Sequence, residues 1–226
     1  MKDFRILQQF PFFEELDEDQ LKKIAPLFLT REYDKGKYVF WEDEEGDELF
    51  MIKTGVVKIF RHDQTREIIL AIFSDGDFFG EMAVLENEQM RSASAKTLEK
   101  STLYVLKRSD FISLLNENPN IFMKILETAL ERLRQANELI TDLTILNART
   151  RLVRMLLRLC EQHGVQTKNG ILIDLKLTHQ QLADMTGTVR ETVTKILLEL
   201  QELHFIRIDK KKVLISNIEK LKSMIE

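Results

Sequence analysis

Between Thr30 and Lys107 the chain is cut into short apolar runs, among them Tyr38-Val39-Phe40-Trp41, Leu49-Phe50-Met51-Ile52 and Val56-Val57-Lys58-Ile59-Phe60, by Gly36, Gly46, Gly55, Gly76 and Gly80. Runs this short, each closed by a turn residue, are the texture of strands rather than helices. The rhythm predicts an antiparallel β-roll or barrel. Ahead of it, Asp17 is placed to cap a helix and Gln20 to reach back to it, with Leu21, Ile24 and Leu27 on one face. Behind it, helical texture starts at Ser109 and continues almost unbroken to about His163.

Within that helical stretch Leu126, Ala129, Leu133, Ala136, Ile140, Leu143 and Asn147 step alternately by three and four, a heptad seam. It fits a parallel coiled-coil dimer or a long helix laid on its own β-roll. A seam of two positions in seven favours the dimer, because packing on a sheet calls for a broader stripe. At 226 residues the chain accommodates two modest domains, and its 3 Pro and 8 Gly leave little room for long linkers. The expected division is a β-roll domain with its leading helix (1–108), a dimerisation helix (109–147) and a C-terminal domain (148–226).

The net charge of −4 is unevenly spread: 14 Lys/Arg face 9 Asp/Glu from Arg149 onward, against 19 and 28 before it. The C-terminal part is therefore the one suited to a polyanion. The one cysteine, Cys160, cannot form an intramolecular disulfide and follows Leu156, Leu157 and Leu159, which suits a buried inert thiol. No Cys/His cluster has zinc or iron–sulfur spacing, so neither metal nor cluster is expected. With no signal peptide and no stretch approaching the roughly 18 apolar residues of a membrane span, the expected home is the cytoplasm. No nucleophile–base–acid set, metal motif or P-loop is present, so an enzyme is not expected.

Between Thr178 and Gln201, Ala183, Gly187 and Val193 have the spacing of a helix-turn-helix. A small residue lets the helices cross closely, a glycine takes the left-handed turn, and an apolar residue packs the second helix on the first. Thr178-His179-Gln180-Gln181 and Thr188-Val189-Arg190-Glu191 each read as a capping box. A second helix starting after Thr188 would present Arg190, Glu191 and Thr194 or Lys195 to a major groove, Arg for guanine and Glu for cytosine N4. Glu191 could instead be only the capping acid. Thr178 could cap or touch a phosphate, and Gln180 completes the candidate DNA-contacting set with Thr188. Beyond Gln201, His204–Ile208 and Val213–Ile215 flank Asp209-Lys210-Lys211-Lys212, which reads as a β-hairpin wing with a basic tip for the phosphate backbone.

Residues 76–92, GDFFGEMAVLENEQMRS, hold the equipment for a small phosphorylated ligand. Gly80 lets the backbone approach, Glu81 can accept from a ribose hydroxyl, and Arg91 with Ser92 can bind a phosphate. The alternative is an internal Glu81–Arg91 salt bridge.

The β-roll, long helix and winged helix-turn-helix, in that order over the whole chain, resemble the CRP/FNR superfamily of transcription regulators. The resemblance implies an α+β fold with a cyclic-nucleotide-binding jelly roll and a homodimer on palindromic double-stranded DNA. It further implies that Gly80, Glu81, Arg91 and Ser92 are ligand positions and Arg190, Glu191 and Lys195 base-reading ones. It places Ala136 and Asn137 where the family's cyclic AMP binders carry a hydroxyl pair for the adenine amino group, leaving Asn137 as the candidate base contact. Lys195 stands where the family has Arg and lacks its bidentate fork, so the preferred half-site differs from the usual one. Cyclic AMP or a related nucleotide is the implied effector, and RNA polymerase an implied partner, with the His163–Asn169 loop as the place for that contact. Two other readings stand beside this one: a DNA-binding regulator whose pocket is vestigial or takes a different effector, and a nucleotide-binding module that docks a protein.

Overall fold

The computed structural model describes residues 7–8, 10–63, 65–86 and 90–225. The chain divides into two compact units, one from Met1–Asp63 with Ile69–Leu133 and one from Gln64–Ile68 with Arg134–Glu226.

The first unit carries β1 (Leu29–Tyr33), β2 (Tyr38–Phe40), β3 (Glu48–Thr54), β4 (Val57–His62), β5 (Glu67–Phe73), β6 (Phe78–Phe79), β7 (Ser94–Thr97) and β8 (Ser101–Lys107). They form two four-stranded sheets, ordered β1-β8-β3-β6 and β2-β7-β4-β5, with antiparallel registers such as Leu29 opposite Val105 and Val57 opposite Thr97. β3 shows why its sequence is continuously apolar. Phe50 and Ile52 point into the core between the sheets with Val57, Phe79 and Leu103. Leu49 and Met51, on the opposite face, join the core made with Phe10, Phe13, Phe28 and Phe111. A strand covered on both faces loses its alternation.

That second core lies under the leading segment and the helices α1 (Glu18–Ile24), α2 (Glu81–Leu85) and α3 (Arg108–Glu117). Asp17 caps α1, its carboxylate accepting from the Gln20 amide at 2.8 Å while Gln20 Oε1 accepts from the Asp17 amide at 2.9 Å, as expected.

The long helical stretch is less continuous than its texture suggests. It breaks at Asn118, where Pro119 opens α4 (Pro119–Ile145), and again before α5 (Ala148–His163). Pro lacks the amide a continuing helix needs but fits a first turn. Asn147 is therefore not the last residue of the seam: its side chain accepts from the Thr150 amide as the N-cap of α5, the competition with the helix that short polar side chains offer. From Leu126 to Leu143 the seam is exposed on α4, with Leu133 at 57% and Ile140 at 62%.

In the second unit α5 is followed by β9 (Gly164–Thr167), β10 (Gly170–Ile173), α6 (His179–Thr186), α7 (Arg190–Glu202), β11 (Ile206–Asp209), β12 (Lys212–Ile215) and α8 (Ile218–Lys222). The strands form one sheet, β11-β12-β10-β9. The segment expected to be a loop at His163–Asn169 is mostly strand β9, Val165 pairing with Leu172. Its four residues, three of them polar or glycine, carry too little pattern to read as a strand. The expected wing is present as the β11–β12 hairpin, turning on Lys210 and Lys211 at φ 46° and 68°.

Candidate functional site

Gly80, at φ 85°, takes the left-handed conformation that starts α2. The Arg91 backbone pairs with the 43–45 segment, its amide donating to Glu44 O at 2.8 Å and its carbonyl accepting from Asp43 N at 2.9 Å. This carries the Arg91 side chain inside, to 4% exposure. Nη1 donates to Gly80 O at 3.0 Å and Nη2 to Glu48 O at 2.8 Å, with the guanidinium 4.2 Å above the Phe40 ring. Nε is buried with no partner among the described residues. A Cβ at Gly46 would collide with Nε, and one at Gly80 would stand 2.7 Å from Nη1, so both glycines make room for this cation. Burial pushes the guanidinium below its usual range, with Glu48, Asp47, Glu81 and Glu44 pulling the other way.

The internal Glu81–Arg91 bridge is not formed. Glu81 pairs instead with Arg132 of α4, at 3.0 Å, and Arg132 donates to Phe78 O at 2.6 Å with its guanidinium over the Phe73 and Phe78 rings. In the sequence Arg132 is no more than a charge beside Leu133 in the seam. Glu48 is likewise occupied, by Arg31. Among the described residues the exposed Ser92 hydroxyl meets only the Met82 sulfur, at 3.4 Å, a weak acceptor. Met82, Leu85 and Met90 are exposed on the same stretch, residues 87–89 of which lie outside the described ones. Asn137 and Ala136 are exposed on α4 in the second unit.

In the second unit, Thr178 forms the expected capping box with Gln181, and Gly187, at φ 61°, closes α6. Ala183 and Val193 are fully buried where the helices cross. The box expected at Thr188 is absent. Val189 is the N-cap of α7 and makes no side-chain cap bond, while the Thr188 amide returns to Ala183 O at 3.1 Å. Closing α6 uses Thr188, so Glu191 falls at the second helical position, one short of a capping acid. It is exposed alongside Arg190 and Lys195.

Thr194 and Leu198 lie on the same side of α7 as Arg190, Glu191 and Lys195. Gln180 donates to Asp184 at 2.7 Å. Of the three wing lysines, Lys212 pairs with Asp174, leaving Lys210 and Lys211 exposed at the tip. Cys160 is buried and its thiol pushed up to about 11 by burial and by Glu161, which suits an inert thiol.

The end of α4 is held to α5 and to the turn between α6 and α7. Asp142, itself buried, accepts from Arg154 at 2.6 Å and Arg158 at 3.4 Å. Arg151 donates to Leu146 O at 2.7 Å and Thr186 O at 2.9 Å. Leu143 stands so near Gly187 that a Cβ there would lie 2.8 Å from it. The Asn147–Arg151 segment is thus bonded on both sides. Among the described residues no helix is long and apolar enough to cross a membrane.

The cyclic nucleotide-binding domain family matches residues 30–118, and the Crp-like helix-turn-helix domain family residues 150–224. The chain is 30% identical over 217 residues to a CRP-like cAMP-activated global transcriptional regulator of Mycobacterium tuberculosis, covering 96% of each. It is 32% identical over 199 residues to the cyclic AMP receptor protein of Thermus thermophilus, covering 88% of each. Among solved structures, a CooA variant from Carboxydothermus hydrogenoformans superposes with a TM-score of 0.78 at 23% identity, over 90% of each chain. FixK2 from Bradyrhizobium japonicum does so with 0.78 at 20%, over 88% of this chain and 98% of that one. At those identities the two structures speak for the fold alone.

Proposed function

The chain belongs to the CRP/FNR family of transcription regulators, and on that premise we propose that it is a cytoplasmic homodimer that binds palindromic DNA under control of a cyclic nucleotide, cyclic AMP first among the candidates. Arg91 carries this reading. It is a cation 4% exposed, braced by two backbone carbonyls over an aromatic ring, with Nε unpartnered among the described residues. Two of the carboxylates that act on it, Glu48 and Glu81, are spent on Arg31 and Arg132. A guanidinium kept in this way suits an incoming phosphate.

In this reading the phosphate meets Arg91 and Ser92, whose hydroxyl gives up its weak bond to the Met82 sulfur. Gly80 admits the ligand to the backbone, Glu81 accepts from the ribose, and Asn137 supplies the base contact. Arg190 reads guanine, Glu191 accepts from cytosine N4, and Lys195 contributes a point charge without a fork. Thr178, Gln180, Thr188 and the wing lysines serve the backbone, while the exposed α4 seam joins two copies. The partner on DNA is RNA polymerase. Effector control is a shift between arrangements, limited to the difference in effector affinity between them.

A second reading gives the same regulator a different effector. Ala136 favours it, because the position that supplies a hydroxyl in the family's cyclic AMP binders has none. A buried amino group without its partner costs about 1–3 kcal/mol, roughly one to two decades of affinity. Isothermal titration of cyclic AMP and cyclic GMP into the protein and into Arg91→Ala separates the two. Saturable heat lost in the variant supports the first reading; no heat with either nucleotide supports the second.

A further inference from the structure

Met82 directly follows Glu81 on α2 and is 48% exposed. Among the described residues its sulfur is the one methionine sulfur in contact with the phosphate position, the Ser92 hydroxyl donating to Sδ at 3.4 Å. The other cationic half of that position is settled inside the protein, with Arg91 Nη1 and Nη2 both donating to backbone carbonyls. Of the two phosphate-binding groups, Ser92 is therefore the one whose bonding depends on an atom open to solvent. A thioether accepts weakly and holds that hydroxyl loosely. It is also oxidisable: an accessible methionine sulfur takes up one oxygen atom and becomes a polar sulfoxide.

We propose that Met82 is an oxidation site that controls the phosphate position, its sulfoxide withdrawing Ser92 from the ligand. In the reaction a sulfur lone pair attacks one oxygen of a hydroperoxide. The O–O bond breaks as the S–O bond forms, and the departing oxygen takes up the proton and leaves as water or an alcohol. Sulfur loses two electrons and the peroxide gains them. The new oxygen carries partial negative charge and is a far stronger acceptor than the sulfur. The flexible methionine side chain brings it to the hydroxyl that the sulfur already meets. An incoming phosphate then finds Ser92 engaged and a partial negative charge beside it, with Arg91 left to bind alone. Met51, Met155 and Met185 are at most 7% exposed and shielded from the oxidant. Cys160 does not compete for it, being buried with its thiol pushed up to about 11. The inference rests on the nucleotide-binding reading above.

The test titrates cyclic AMP and cyclic GMP into the full-length protein by calorimetry, before and after brief treatment with hydrogen peroxide, while peptide mass spectrometry reads the oxygen added at each methionine. Met82 is expected to gain one oxygen, and the treated protein to bind its nucleotide about ten-fold more weakly, the worth of a hydrogen bond to a charged group. Methionine sulfoxide reductase is expected to restore the affinity by removing that oxygen. Met82→Leu is expected to keep its own untreated affinity through the treatment. Met123→Leu, which removes a methionine 53% exposed on α4, is expected to lose affinity as the wild type does. An unoxidised Met82, an oxidised Met82 with unchanged affinity, or a loss that persists in Met82→Leu overturns the proposal and leaves the nucleotide-binding reading in place. No heat from the untreated protein with either nucleotide overturns that reading itself, and the proposal with it.

Discussion

Lys210 and Lys211 hold left-handed backbone angles at the two positions of a hairpin turn where Asn-Gly is the comfortable choice. A side chain with a Cβ costs about 1–2 kcal/mol in that conformation, so the turn gives up stability to keep two exposed cations at the wing tip. Replacing the pair by Asn-Gly should raise unfolding stability by about 1–2 kcal/mol in urea denaturation. If the lysines meet DNA phosphates, the same change weakens duplex binding and flattens the slope of log K against log salt by up to about 2. Stabilisation without loss of affinity would make them a solvated turn. At this scale the sequence was informative where chemistry demands a residue type. Arg91, Gly80 and the turn glycine Gly187 could be picked out because few other residues do those jobs, whereas Gly46 read only as a break between strands until its contact with Arg91 was seen. Arg132 could not, because an arginine beside an apolar seam is ordinary until Glu81 is seen against it.

The α4 helix has two distinct faces to explain. Along the seam its apolar side chains are exposed in the single chain, and Ile140→Asp, which places a charge in that stripe, is expected to turn a dimer into a monomer in sedimentation velocity. An unchanged dimer would move the interface elsewhere. Near its end, the buried Asp142 is gripped by Arg154 and Arg158. Asp142→Ala is expected to destabilise this unit by about 2 kcal/mol, below the range for a fully buried pair because Arg154 is 40% exposed and can rehydrate. Hydrogen exchange in α5 reads the loss as faster uptake. Elements with a strong period were readable in advance: the glycine-punctuated runs became the two sheets, and the 3-4 steps became α4. The breaks went unread for different reasons: Pro119 was there to mark the first, whereas Asn147 stops the helix through a local hydrogen bond that leaves the apolar spacing unchanged. The wing at β11–β12 was legible from its lysine-rich turn, whereas β9 had neither length nor alternation.

For the molecule as a whole, the proposed control has one cation as its switch and one helix face as its reader. Arg91 waits on backbone carbonyls, and Arg190, Glu191 and Thr194 face outward from α7. The effector matters only through its preference for the DNA-competent arrangement. The most direct measurement is fluorescence anisotropy of a duplex enriched from a random pool by the full-length protein and titrated with it, with and without saturating cyclic AMP, alongside Gly46→Ala, whose added Cβ collides with the Arg91 guanidinium. Cyclic AMP is expected to tighten binding by ten-fold or more, on the order of 1.4 kcal/mol of coupling, in the wild type and not in Gly46→Ala. Equal affinity with and without nucleotide, in a protein that binds the duplex and the nucleotide, would contradict that control.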